Sequence, residues 1–281
     1  MSTPASFETA MPVRRMDFGF STDMPLDFFA DDPVRSYLSH AYWLTMPYLE
    51  PYLMRTVRTA IQGVNDPVLR AAMQAFCGQE GQHFQQHARV NRILKDSNPA
   101  FSALESIEAE LEADYRRFSA EKDLGWNLAY AEAFEAMTMT LSCTQMEMRI
   151  HEDMSGPIRD LFLWHITEEM EHRTVCFDAC HAHGVNWWRR LQVGREARAH
   201  YLGYVGRFHA AFLRLDAERI RQKDTAEKRI ERERFQSAFA KHHGLRGVLT
   251  YLPWYNPRRA AMPALFEDLR KHYSERALVP G

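Results

Sequence analysis

The sequence predicts an all-α fold, and three observations carry that prediction. Apolar residues recur at helical spacing over most of the chain, and strand-like alternation is missing throughout. Proline repeatedly follows a capping residue where a helix would start, as at Asp32-Pro33, Asp66-Pro67 and Asn98-Pro99. No solenoid-period repeat and no low-complexity linker interrupts the pattern. Residues 1–30 are expected to form an N-terminal arm, and residues 31–281 a single helical domain with C-terminal helices from about residue 186.

The elements follow in order. A helix is expected from Asp32-Pro33 to about Ile61, ending near Gly63, with a kink or break around Glu50 because Pro47 and Pro51 fall inside it. A second runs from Pro67 to about Asp96, and a shorter one covers about 100–118. A long Ala- and Met-rich helix, about Leu124 to Glu152, is apolar on most sides except at Glu132 and Glu135, so it belongs at the centre. Gly156-Pro157 ends it, and the next helix spans about 157–182. Asn186 caps a long helix or pair reaching His243-Gly244, charged after Leu215, and a last helix runs from Met262-Pro263 to about Tyr273.

At 281 residues the chain can bury a substantial core. A charged fraction of 26% and a formal net charge of −2 give no reason to invoke nucleic acid or an anionic membrane. The basic tract Arg219 to Arg234 is interleaved with Glu and Asp and reads as a solvated helix face. Met1 to Phe20 lacks a long apolar core and is not expected to be a signal peptide, and no run of about 18 apolar residues suggests a transmembrane segment. Cys77, Cys143, Cys176 and Cys180 lack C-x-x-C spacing, which leaves buried free thiols and a cytoplasmic location as the expectation.

The chemistry concentrates in Trp164–His172. As a helix, this stretch puts His165, Glu169 and His172 at i, i+4 and i+7 on one face, a donor set suited to iron, manganese or zinc. Its Glu169-x-x-His172 has a counterpart in Glu80-x-x-His83. Two such pairs, plus one Glu from each of two other helices, form the ligand pattern of ferritin-like dinuclear carboxylate bundles. Helix one supplies Glu50, its sole acidic residue after Pro33. Helix three offers Glu135, which shares a stripe with Leu128, Met139 and Met146, while Glu132 is an alternative ligand or a partner to one. His165 is a candidate third imidazole, and His87, one turn after His83, is a further ligand or hydrogen-bonds to one. About 27 residues between Asp96 and Leu124 are enough for the crossover such bundles use.

These motifs resemble those of a known family. Trp164-His165-x-x-Glu168-Glu169-x-Glu171-His172, continuing to Phe177-Asp178, resembles a signature of the bacterial predicted metal-dependent hydrolases, a family placed in the ferritin-like superfamily. Gln79-Glu80-x-x-His83-x-x-x-His87-x-x-x-Asn91, Pro47-x-x-Glu50 and Ala133-Phe134-Glu135 match its other blocks. Ala136 and Asn256 stand where that family usually has His. The resemblance spans roughly residues 12–275. More distantly, His165-x-x-x-Glu169-x-x-His172 is similar to a motif of the di-iron p-aminobenzoate N-oxygenases, with three His and four Glu ligands. That likeness implies the set Glu50, Glu80, His83, Glu135, His165, Glu169 and His172.

The resulting expectation is an O2-activating di-iron oxidase or oxygenase holding two iron ions, with Mn or Zn as alternatives. Glu80, Glu135 or Glu169 would bridge. Its partners are O2, an electron donor and a small organic substrate, an amine by N-oxygenase analogy, lying near Phe84, Phe134, Met139 and Met146. The charged helix after Leu215 suggests a homodimer or partner surface. A hydrolase using the same site is the rival reading, and a non-catalytic iron-binding or scaffold protein the second.

Overall fold

The structure is a computed structural model and describes residues 11–29 and 32–278. Among these residues there is no strand, only one isolated antiparallel bridge between Phe29 and Met154. No helix among them is long and apolar enough to cross a membrane.

Helix α1 (Pro33–Ile61) starts as the sequence predicts, with the Asp32 carboxylate accepting from the Val34 and Arg35 amides. It runs through Pro47 and Pro51 without interruption, so the expected break is absent. Buried side chains all round it, from Tyr37 to Ala60, pack it against neighbours, and that packing holds it helical despite two missing N–H donors. Helix α2 (Pro67–Asp96) repeats the same cap with Asp66 and lies along α1. A 3-10 turn (Pro99–Leu104) and α3 (Glu105–Glu121) then cross α1 to reach α4 (Leu124–Glu147). The central helix is therefore shorter than expected. Arg149 at φ +53° turns the chain, and residues Ile150–Asp153 form a separate 3-10 turn.

The expected helix over 157–182 is two helices, α5 (Gly156–Glu171) and α6 (Val175–Ala182). No proline or glycine marks the break. Instead the Arg173 guanidinium donates to the Met170 carbonyl at 2.6 Å, the acceptor a continuous helix would have given to the Thr174 amide. Helix α7 (Trp187–Leu215) packs along α4 and α1, and α8 (Ala217–Lys223) follows. Helix α9 (Ala226–Leu249) lies on α4, tied by Arg232 to Asp32 and by Arg246 to Glu147. Helix α10 (Phe266–Arg276) packs on α5. The expected pair of helices after Asn186 is thus three, and α9 carries one face onto the body. All four cysteines are buried free thiols, as expected.

Two apolar clusters fill the interior. Along α2 neither has a member between Cys77 and Val90, the stretch that carries Glu80, His83 and His87. Along α5 and α6 the clusters meet between Met170 and Val175, with His172 in the gap. A polar layer therefore crosses the bundle where four helical segments face one another.

The arm is pinned over this layer. Gln79 on α2 donates to the Pro12 carbonyl and Gln86 to the Met16 carbonyl, while Phe18 packs on Trp164. Residues 1–10 and 30 of the expected arm lie outside the described residues. Gly78 permits the approach, because a Cβ there would stand 2.5 Å from a Val13 methyl. Gly78→Leu is therefore expected to lift the arm while leaving helical circular dichroism unchanged. Trypsin cutting after Arg14 or Arg15 measures this; wild-type resistance in the variant would contradict it.

Candidate metal centre

Each of the four segments brings its side chains to the polar layer by helical spacing. Glu50 comes from α1, Glu80 and His83 from α2, Glu135 from α4, and His165 and Glu169 from α5. His172 follows the end of α5 as its cap, so it reaches the layer from a break and not from the expected helical face. Three groups of donor atoms lie within 4.8 Å of one another: Glu50, His83 and His165; Glu80, His83 and Glu169; Glu80, Glu135 and His172. Together they contain all seven residues singled out from the sequence, and all seven are buried.

Glu169 joins the halves. Its Oε1 is 2.8 Å from His165 Nε2 and 3.7 Å from His83 Nδ1, while its Oε2 is 3.3 Å from His172 Nε2. His172 Nε2 also stands 3.1 Å from Glu135 and 3.5 Å from Glu80. Both oxygens of Glu50 and of Glu135, Oε1 of Glu80 and Nδ1 of His83 are buried without a hydrogen-bond partner. Buried polar atoms are normally satisfied, so this concentration of lone pairs fits the binding of a cation.

The imidazoles are oriented from outside. The Gln79 amide nitrogen donates to the Pro12 carbonyl and to Glu171, which fixes its Oε1 as the acceptor for His172 Nδ1–H at 3.2 Å. His83 Nε2 meets Glu168 at 3.1 Å, and His165 Nδ1 meets His87 Nε2 at 2.7 Å. In each case one ring nitrogen is engaged outside and the other faces the carboxylates, the arrangement metal-binding histidines show. His87 thus acts on His165 and belongs to none of the donor groups. Glu132 is also outside them, in a buried pair with Arg190 at 2.6 Å.

Protonation follows from burial and neighbours. Burial pushes the carboxyls of Glu50 and Glu80 well above the usual range, helped by the charge of Glu169. Burial raises Glu135 to about 7 against the opposing pull of His172. Burial also acts on Glu169, but His172 and His165 hold it well below its ordinary value. His172 is raised despite its burial because Glu135 and Glu169 face it. His83 is lowered by burial and by the adjacent His165, and burial likewise lowers His87. Without metal the layer is a proton-sharing cluster in which cations replace protons.

Sequence reasoning missed Arg14. It is 2% exposed and donates to Glu168 at 2.8 Å and to Glu171 at 2.6 Å, so the arm places one guanidinium on the two carboxyl groups that orient His83 and, through Gln79, His172. Glu168 and Glu171 lie inside the motif that drew attention, but nothing in the sequence points to an arginine more than 150 residues away. Of the two departures from the family pattern, Ala136 is buried beside Glu132, and Asn256 caps a 3-10 turn (Pro257–Arg259) by accepting from the Arg258 amide.

A cavity of about 340 Å³ abuts the layer, with His165 and Glu169 in its wall. It lies among α1, α4 and α5 and is covered by Phe235 and Phe239 of α9. Phe84, Phe134, Met139 and Met146, the expected substrate wall, do not line it. Phe134, Met139 and Met146 pack in the apolar clusters instead.

Arg14→Met is expected to destabilise the protein by about 3–5 kcal/mol, the cost of leaving buried carboxylates unpaired. Adding Glu168→Gln and Glu171→Gln should recover part of it. Urea midpoints test this, and a single variant as stable as wild type would refute the pairing.

Residues 12–260 match the family described as predicted metal-dependent hydrolase, somewhat short of the 12–275 read from motifs. No curated protein and no solved structure gives a significant match. With most of its length matched, the chain belongs to that family.

Proposed function

We propose that this member of the predicted metal-dependent hydrolase family is a dinuclear metal enzyme that uses O2 to oxidise an apolar organic substrate. The observation that carries the reading is the buried layer of four carboxylates and three outward-anchored imidazoles beside an apolar cavity. Four carboxylates balance the charge of two divalent cations, which is how such groups become tolerable away from water. The ligand order Glu50, Glu80-x-x-His83, Glu135, Glu169-x-x-His172 is that of ferritin-like dinuclear bundles, and iron suits the mixed donor set, with Mn and Zn as alternatives.

The seven donors would hold the ions, and Glu169 faces histidines of both halves, His165 with one oxygen and His172 with the other. Two iron ions would supply the electrons that reduce O2, and an external donor would restore them. The protein's own contribution is preorganisation. Glu168, His87 and Gln79 hold protons on the outer ring nitrogens, so the inner lone pairs point inward. Glu50, buried with both oxygens unpartnered, has its lone pairs available to a cation. The apolar wall excludes bulk water and accepts a substrate with little polar surface.

Hydrolysis is the second reading, and the family description favours it. The same donors holding zinc would suit water activation. Against it, the cavity wall is mostly apolar, and the Thr138 hydroxyl is already committed to the carbonyls of Phe134 and Glu135.

Metal counting and oxygen consumption separate these readings. Protein loaded with Fe(II) without air should bind two ions per chain and consume O2 in proportion to iron on mixing. One tightly held zinc with no O2 uptake would leave hydrolysis. Glu169→Ala and His172→Ala should abolish metal binding, whereas Glu168→Ala should weaken it about 10–100-fold, as loss of an orienting partner does.

Protons compete with metal, and the sign can be worked out. Glu135, at about 7 in the folded protein against an ordinary 4.5, keeps a proton that the unfolded chain has lost, and it releases that proton as pH rises through 7. His172, raised above 6.5, stabilises the metal-free fold at low pH and ceases to as it deprotonates. Both changes weaken the metal-free protein at higher pH and free its ligands. The rise in Tm on adding metal should therefore grow between pH 6 and pH 8, and calorimetry showing a constant or shrinking rise would contradict the assignment.

A further inference from the structure

The cavity is a channel with two chemically different ends. On α1 its lining runs Arg35, Ser39, Tyr42, Trp43 and Met46, one helical stripe whose next member is Glu50. On α4 it runs Gln145, Leu141 and Thr138, a stripe continuing to Glu135. Both stripes lead from the far end of the bundle to the metal layer. Arg35 and Met46 are eleven residues apart, about 16 Å along a helix axis.

Arg35 is the sole Lys or Arg among the lining residues. Its guanidinium packs against two rings, 4.2 Å from the Phe29 centroid and 4.5 Å from that of Phe235. Its hydrogen bonds leave through the edges of the planar group. Nη1 uses one on Asp153 at 2.8 Å, an aspartate whose side chain is 54% exposed. Nη2 is buried without any acceptor. A charged donor left so is costly, and a carboxylate from the cavity is the acceptor its planar fork fits best.

We infer that the channel takes an elongated apolar molecule ending in a carboxylate, with the acid on Arg35 and the opposite end at His165 and Glu169. The carboxylate replaces or joins Asp153 on the guanidinium, and the chain lies along the aromatic stripe of α1. The orientation rests on the metal-centre reading above, whereas binding of the acid does not.

Dodecanoate, 1-dodecanol and dodecylamine serve as probes, titrated calorimetrically into the metal-free and the metal-loaded protein. Dodecanoate should bind at least about tenfold more tightly than the alcohol, and the amine most weakly, in both forms. Arg35→Gln should remove the preference for the acid while leaving dodecanol affinity unchanged. Arg35→Lys should restore part of it, and Asp153→Asn should leave it equal or stronger. Acid and alcohol binding alike to wild type, or Arg35→Gln retaining the preference, would overturn the inference. Orientation is read separately, with 13C at either end of dodecanoate and Mn(II) in the protein. The methyl carbon should broaden more than the carboxyl carbon, and the reverse would overturn the assigned direction. Failure of the metal-centre reading would appear instead as absent metal, with the Arg35 effects intact.

Discussion

Four carboxylates in one dry layer is the constraint on which the rest of this structure depends. Isolated, each would cost several kcal/mol to bury in ionised form. Here Glu50, Glu80, Glu135 and Glu169 are accommodated by sharing protons with one another and with His172, and the charge is left for cations to balance. The apolar clusters on either side hold the layer in place and keep water from relaxing it. Such a layer is poor at stabilising a fold and well suited to holding metal.

Precision in the layer is imposed from its rim. His83, His165 and His172 come from two helices and a helix break, yet each has its outer nitrogen engaged by Glu168, His87 or Gln79. Arg14 then ties Glu168 and Glu171 together from the N-terminal arm and also reaches Ser274 on α10. Segments from both ends of the chain thereby close over the side of the centre that carries the orienting groups. The cavity opens elsewhere, between α1, α4 and α5, and α9 covers it with Phe235 and Phe239. Orientation and access are served by different parts of the molecule.

The candidate ligands were legible in the sequence because helices repeat with fixed geometry. Glu-x-x-His is meaningful at i and i+3, and an acidic residue in an otherwise apolar helix, such as Glu50 or Glu135, needs a reason to be there. What local spacing could not separate was one buried carboxylate from another. Glu132 and Glu135 are a turn apart on α4, and only the position of Arg190 on α7 makes Glu132 half of an ion pair. Likewise His87 differs from His83 only by what faces it across the bundle. The residues expected beside the substrate do not line the cavity, for a related reason. Met139 and Phe134 look the same in sequence whether they face a cavity or a core, and α9 decides which residues enclose space.

The sequence by itself determined an all-helical chain and its main helix starts, and it singled out the seven candidate donors that the fold brings together, because caps, prolines and 3.6-residue periodicity act within a few residues of each other. Tertiary structure decided the rest. It kept α1 unbroken through two prolines, ended α5 before His172, and delivered Arg14 to Glu168 and Glu171. These outcomes depend on packing and charge between segments far apart in the chain, and no local rule records which distant partner a helix face or a buried charge will meet.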